Sequence, residues 1–536
     1  MLIDGRTMPD GETLEAQLCV VGCGPGGITV AQELAGPGMS VLVIESGGPK
    51  RDRRQDRSGA GESVGAPYPP LSSARARGIG GTSLHWEMHQ SGGDQGWISR
   101  PLDPLDFSAR PRIPGSGWPF GGEELAECYR RAQMVAGLGR WGYEPCDWPA
   151  DAAAPFDLPA DRVVSHVFQR GTTRFSRYLA DLEAAPHIRV VHHATVLDVE
   201  QSEQGPEVSR LRVATGQGRH IFVRARRYVL AAGGIENPRL LLLSRSADRP
   251  QGLGNARDLV GRHFMERLTA RAGVIVPSGP ALLARAAFYQ SHLVEGMRIQ
   301  GTLSLAPALI EREGLRNATF WVLARRRIVA TSAVGSLVTL ARSMRRRPIS
   351  ARLMAGHAGM IARDLPAVTR AAGQLLLRTT REPEVLQLGV QAEQAPDLDS
   401  RVTLGHRLDR FGLPVARLDW KPTEADRASI ASSVRLLDEA LRGAGIGRID
   451  RAFGEETPEA MFIGNSHHMG TTRMSTDPAR GVVDPSGRVH GVPNLYVAGS
   501  SVFPTSGYAN PTLTIVALAI RLAGELRSQP WGDVVE

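Results

Sequence analysis

The chain has 536 residues, 42% hydrophobic and 22% charged, ordinary for a soluble globular protein and too long for one simple core. A formal charge of +8 invites nucleic acid as a partner, yet only Lys50 and Lys421 are lysine, the arginines are widely spread apart from one dense run, and no zinc-finger spacing or aromatic RNA-binding signature occurs, so no nucleic-acid partner is expected. Cys19, Cys23, Cys128 and Cys146 have no metal-ligand context, the N-terminus lacks a signal-peptide pattern and no run reaches ~18 apolar residues, so the expectation is free thiols, no metal site and a cytoplasmic protein.

The first element is "AQLCVVGCGPGGITVAQELAGPGMSVLVIESGG", residues 16–48. Leu18 to Val21 read as a strand. Gly22, Gly24 and Gly27 follow in GxGxxG spacing. Ile28, Val30, Ala31 and Leu34 form a helical stripe, and Val41 to Ile44 a second strand ending in Glu45. Gly22 permits the turn, Gly24 lets a diphosphate approach the backbone, and Gly27 lets helix and strand pack closely. The helix N-terminus favours the diphosphate, and Glu45 suits ribose hydroxyls while disfavouring a 2′-phosphate. Glycine-rich turns alone are common, but here strand, helix, strand and acid stand in register, which points to a dinucleotide site without choosing FAD or NAD.

Next come "RGIGGTSLHWEMHQ" (77–90), a glycine-rich loop with a His-Trp pair, and "IRVVHHATVLDVE" (188–200), read as one alternating strand. "ARRYVLAAGGIENPRLLLLS" (225–244) reads strand, Gly-Gly turn, helix. Residues 324–382 are arginine-rich and mostly helical by pattern, with Val329, Ala333, Leu337 and Leu340 at helical spacing. Three readings stand for this run: a solvated cover over an active-site entrance, a membrane-surface or partner-docking element, and a funnel for an anionic substrate. "SRVTLGHRLDRFGLPVARLDW" (400–420) alternates as a hairpin does. Residues 487–526 read hairpin, strand, Pro-rich loop and a helix opened by Asn510-Pro511.

"GGTSLHW", "SGWPF", "DLVGRHFME", "DSRVTL", "RFGLPVARLDW", "HHMGTTRM" and "NLYVAGSSVFPTSGYANPTLT" occur in one order along essentially the whole chain. In this the sequence resembles the glucose–methanol–choline oxidoreductase family, and most its bacterial sugar-oxidising branch. The resemblance implies an α/β fold: a Rossmann-like FAD domain from 1–100, 185–270 and 455–536, and a discontinuous substrate domain from 101–184 and 271–454, with an antiparallel sheet plus helices. It implies FAD and oxidation of a CH–OH group.

The resemblance also assigns residues. The family's catalytic histidine stands three residues before the glycine of a Gly-Thr pair, here Gly470-Thr471, which selects His467 over His468. Its partner position is Asn510. An imidazole is mostly neutral near pH 7 and suits removal of the hydroxyl proton, while the flavin accepts hydride. Asn510 would hold the same oxygen. The helix expected from Pro511 would aim its amides at the charge that reduction places on the flavin. Cofactor contacts fall on Gly81, Thr82, Val196, Gly499, Ser501, Asn510, Pro511 and Thr512, beside the glycine-turn residues and Glu45. For Val196 a plain core-strand reading stands alongside, and for Gly499 and Ser501 plain turn chemistry. His85 occupies the position that some relatives join covalently to the flavin and others only pack against it. Trp86 departs from the asparagine of many relatives and reads equally as a core aromatic.

The substrate implied is a small-molecule alcohol, most specifically a sugar, aminosugar or glycoside such as an aminoglycoside-type intermediate, with O2 or an external electron acceptor. Two other readings remain at this stage: a dehydrogenase of sterol or aliphatic alcohols that passes electrons to a quinone, and a hydroxynitrile-lyase-like flavoprotein.

Overall fold

In a computed structural model the described residues are 1–50, 52, 59–86, 97–149, 154–171, 174–216, 218–279, 281–325, 385–450, 464–531, Phe462 and parts of 333–373. Val329 and most of the arginine-rich run lie outside them. Within that run Ala351–Arg363 is a helix, Ala333 is buried, and Leu337, Met354 and Leu365 are exposed.

The strand Thr13–Val21 alternates exposed and buried at its start and is buried throughout from Leu18 to Val21, where its neighbours cover both faces. Helix Pro25–Leu34 returns the chain to the parallel strand Val41–Glu45, with Leu18 beside Val41 and Val21 beside Ile44. Ile188–His192 and Leu2–Asp4 extend the sheet on that side. Arg219–Leu230 pairs parallel to Thr13–Val21, and Leu495–Val497 pairs parallel to Arg219–Leu230. Strands from opposite ends of the chain thus lie side by side.

Residues 188–200 are not one strand. His193 adopts φ 56°, its N–H bonds to the Gly47 carbonyl, and Ala194 N–H bonds to that of Glu45. The chain turns there. Ile188–His192 joins the parallel strands, and Thr195–Gln201 pairs antiparallel with Val208–Gly216. The turn also brings Asp4, His192 and His193 together, with ligand-type atoms within 4.8 Å of one another. Asp4 is spent on Arg6, whose guanidinium reaches its carboxylate at 2.7 Å.

The second sheet is antiparallel throughout, in the order Gly447–Asp450, Leu268–Pro277, Val385–Ala392, Ala318–Arg325, Met297–Leu305, Val163–Gly171, Trp97–Ser99. The expected hairpin exists as Arg401–Leu408 with Pro414–Asp419, joined by Glu62–Ser63. Two expectations near the C-terminus need correction. The hairpin read after residue 487 is reduced to isolated bridges, such as Arg488 with Tyr496. The last helix is Thr512–Ser528, with Pro511 as its N-cap and not its first helical residue, and the Ile515 N–H bonds to the Pro511 carbonyl.

A buried polar network ties the second sheet to residues 100–110, against which Gly507 packs. Arg110 forks onto Glu393, Arg100 donates to Asp103 at 2.8 Å, and the Asn317 amide donates to Asp106 at 2.9 Å and to Asp103 at 3.2 Å. A side chain at Gly507 would strike the Asp106 carboxyl at 2.6 Å. Burial, then the charges of Asp103 and Glu393, push the Asp106 carboxyl up to about 8. Asp106 is therefore protonated in the fold at neutral pH and ionised in the unfolded chain. Its stabilising contribution is complete below its unfolded value of 3.8 and is lost as pH rises through about 8. Asp106→Asn should flatten the fall in melting temperature between pH 5 and 8, followed by tryptophan fluorescence; an unchanged slope would place the proton elsewhere.

Candidate active site

A cavity of about 350 Å3 opens along the C-terminal ends of the parallel strands, where ligands of open α/β sheets bind. Its walls come from chain segments hundreds of residues apart. Gly22 and Gly24 meet Gly81 and Thr82, and Val196, Gly233 and Gly499 close the opposite side. The contacts are backbone to backbone. A Cβ on Gly27 would lie 2.0 Å from the Gly22 carbonyl oxygen, so the helix could not seat against the turn. A Cβ on Gly81 would lie 2.8 Å from Gly24 Cα. Gly233 and Gly499 have positive φ and open space where a Cβ would stand, a cradle that side chains would fill.

Glu45 is buried at one end of this cradle. Its carboxylate accepts N–H groups from Cys23 at 2.8 Å, Gly47 at 2.7 Å and Gly78 at 3.0 Å. Burial raises its carboxyl pKa, and the Cys23 and Gly47 bonds oppose the shift. The acid thus ties the first glycine turn to the loop before Gly81, and it keeps an acceptor site on Oε2 for a ligand.

Sequence reasoning missed a set of charges in the wall. Arg75 and Arg77 pair with Glu236, the latter at 3.4 Å, and Arg239 pairs with the same carboxylate at 3.2 Å. Arg239 also donates to Asp409 at 2.6 Å, so three guanidiniums stand against two carboxylates and the wall keeps one positive charge. Burial lowers the Arg75 pKa to about 10, so it stays charged at neutral pH.

At the other end lie His85, Trp86, His467, His468 and Asn510. His85 is buried in the short turn Gly81–His85. Trp86 lines the cavity and also packs against Trp97, ring centroids 4.9 Å apart. Pro511 and Thr512 line the cavity. Ser501 does not: its hydroxyl accepts from the Asn237 amide at 3.0 Å, and Ser500 takes its place in the wall.

The two adjacent histidines differ in surroundings. His467 Nδ1 stands 3.4 Å from the Glu266 carboxylate, and the His467 backbone N–H donates to that carboxylate at 3.0 and 3.1 Å. Because Nδ1 is buried against Glu266, Nε2 is the nitrogen left for the cavity. His468 packs between Tyr68 and Phe264, at centroid distances of 6.0 and 5.9 Å. Burial lowers its pKa to about 4, which keeps it neutral.

Glu266 was not picked out from the sequence, although it sits inside "DLVGRHFME". It is fully buried and accepts from the Tyr68 hydroxyl as well as from His467. Burial alone would raise its carboxyl pKa; the His467 and Tyr68 hydrogen bonds and the histidine charges outweigh this and hold it low. Asn510 is held on both ends: its Oδ1 accepts from Arg267 and its Nδ2 donates to the Ile98 carbonyl at 2.7 Å.

Residues 396–519 match the family described as GMC oxidoreductase. The C-terminal part of the chain thus carries this family's signature. The family implies FAD and a CH–OH oxidoreductase, either an oxidase or a dehydrogenase. Over 96% of its length the chain is 27% identical to paromamine 6′-oxidase of Streptomyces fradiae, covering 92% of that protein. It is 24% identical to the fructose dehydrogenase large subunit of Gluconobacter japonicus, over 96% of this chain and 98% of the other. The solved structure of pyridoxine 4-oxidase from Mesorbium loti shares the fold, with a TM-score of 0.54 at 18% identity over 96% of this chain and all of that one. Among the described residues no helix is long and apolar enough to cross a membrane.

If the Glu266 carboxylate stabilises a protonated His467, Glu266→Gln lowers the histidine pKa. The acid limb of the activity–pH profile should then shift to lower pH, with a rate loss of roughly tenfold or more. A profile superimposable on wild type would separate the two residues.

Proposed function

We propose that this protein binds FAD in the glycine-lined cavity and oxidises the CH–OH group of a sugar, aminosugar or glycoside, with His467 as base. One observation supports the reading most: His467 and Asn510 line the same cavity as Glu45 and the glycine turns. The Gly24, Gly233 and Gly499 backbones would seat the diphosphate, with the helix from Pro25 and the Arg75, Arg77 and Arg239 charges offsetting its negative charge. Glu45 and Val196 would hold the adenosine end. The two sheets support a division into an FAD domain and a substrate domain, with Trp97–Ser99 and Leu268–Pro277 on the antiparallel side.

FAD, when bound, accepts hydride from the alcohol carbon. His467 Nε2 takes the hydroxyl proton, so the C–H and O–H bonds are both spent and a carbonyl remains. Glu266 orients the ring and favours the imidazolium that results. Asn510 hydrogen-bonds the same oxygen and fixes its approach. His468, buried and neutral, packs behind the pair.

The aminosugar class is supported by the similarity to paromamine 6′-oxidase along nearly the whole chain. Oxygen or an external acceptor would reoxidise the cofactor, and a lyase would turn over with neither. His85 supports two modes of holding the flavin, a covalent link and simple packing. Membrane-surface contact through 324–382 keeps its sequence support, since that run carries twelve arginines against Asp364 and Glu382, a net of +10 beside +8 for the whole chain.

The purified protein should be yellow, and anaerobic paromamine or D-fructose, or the diol 2-methyl-1,2-propanediol, whose dehydrogenase from Mycolicibacterium austroafricanum is 23% identical over 97% of both chains, should bleach the flavin. A colourless protein that binds NAD would defeat the proposal. Acid precipitation decides the His85 question: colour that stays wholly in the supernatant means no covalent bond. His467→Ala should slow flavin reduction at least ~10²-fold with FAD retained, and His468→Ala should cost less. A reversed order would move the base to His468.

A further inference from the structure

Asn510 could meet an alcohol either as acceptor, through Oδ1, or as donor, through Nδ2. The structure decides between them by chemistry that no amide flip can undo. A guanidinium has only donors, so the atom facing Arg267 is Oδ1. A peptide carbonyl has only acceptors, so the atom facing the Ile98 oxygen, at 2.7 Å, is Nδ2. The carboxamide is therefore locked in one orientation, and one N–H of Nδ2 remains unassigned.

Arg267 is an expensive way to fix an amide. It is 5% exposed, and burial lowers its pKa to about 10, with Glu266 opposing the shift. It remains a buried cation at neutral pH. Its Nε has no hydrogen-bond partner among the described residues. An apolar side chain would serve packing better, since a buried cation without a full set of partners costs stability. What the cation adds is polarisation: a positive charge on Oδ1 makes the opposite N–H a stronger donor.

Resting on the reading that His467 and Asn510 handle the alcohol, we infer that Arg267 is a positioning residue that makes Asn510 a hydrogen-bond donor to the alcohol oxygen. As His467 removes the hydroxyl proton and hydride leaves the carbon for FAD, the oxygen carries developing negative charge until the C=O bond forms. A polarised N–H stabilises that charge. Residues 266 and 267 thus divide the work, the glutamate holding the base and the arginine holding the donor.

The test is a double-mutant cycle on the holoenzyme, with anaerobic stopped-flow reduction of the flavin by paromamine, D-fructose and 2-methyl-1,2-propanediol. Arg267→Met should slow reduction at saturating probe by ~10-fold or more while the apparent Kd of the probe changes less than ~3-fold. Arg267→Gln, which keeps a donor for Oδ1, should recover part of the loss. In an Asn510→Ala background Arg267→Met should cost less than ~2-fold further, because its effect runs through the missing amide. FAD content and visible spectrum are recorded for each variant; where the methionine variant does not fold, the glutamine variant is read through the same cycle. Multiplying losses, or an Arg267→Met rate equal to wild type, would overturn the inference and leave the His467–Asn510 pair intact. An unimpaired Asn510→Ala, or a wild-type flavin that none of the three probes bleaches, would instead remove the reading beneath it, and this inference with it.

Discussion

The cavity depends on backbones that touch where side chains cannot fit. Gly27 lies against the Gly22 carbonyl and Gly81 against Gly24. These contacts seat the helix Pro25–Leu34 on its sheet and bring the loop carrying His85 and Trp86 onto the same turn. Replacing any of them with a larger residue would move the two ends of the cavity apart. The glycine spacing thus acts twice, once on the local turn and once on a loop about sixty residues further along.

Buried charge does the remaining positioning, and each buried acid has a distinct task. Glu45 joins two glycine loops through three N–H bonds. Glu236 gathers three arginines at the cavity wall, and Glu266 holds His467. Asp103, Asp106 and Glu393 gather around Asn317, just before the strand Ala318–Arg325 of the antiparallel sheet. Such groups are costly to bury; Glu45 and Glu236 line the cavity and Glu266 touches His467, which does, and for these three placement argues for function more than for stability.

The two sheets explain why the residues around the proposed site come from distant segments. The strand Leu495–Val497 enters the parallel sheet beside Arg219–Leu230, which delivers the C-terminal loops to the glycine turns. The strand Leu268–Pro277 belongs to the antiparallel sheet, and the residues just before it, Glu266 and Arg267, reach back to His467 and Asn510. The site lies at the junction of the two layers.

Short-range chemistry was legible in the amino-acid order. The turn at Gly22–Gly27, the buried strands around it and the hairpin at 401–419 rest on steric or periodic rules that act at short range, whereas the HHxGT stretch stood out only through the family resemblance. The ordered motifs, taken together, identified the family. What the order did not contain was partnership. Glu266 closes the motif "DLVGRHFME" and Arg267 follows it, yet nothing there shows what either would hold, because their partners lie about 200 and 240 residues away. The single strand expected over 188–200 failed for a related reason: His193 turns the chain because Gly47 and Glu45 offer carbonyls there. Ser501 likewise reads as a cavity residue until Asn237 claims its hydroxyl. Local sequence determined the kinds of turn, strand and reactive side chain available; the tertiary structure decided which of them meet, since hydrogen bonds and buried charges are satisfied by neighbours in space and not along the chain.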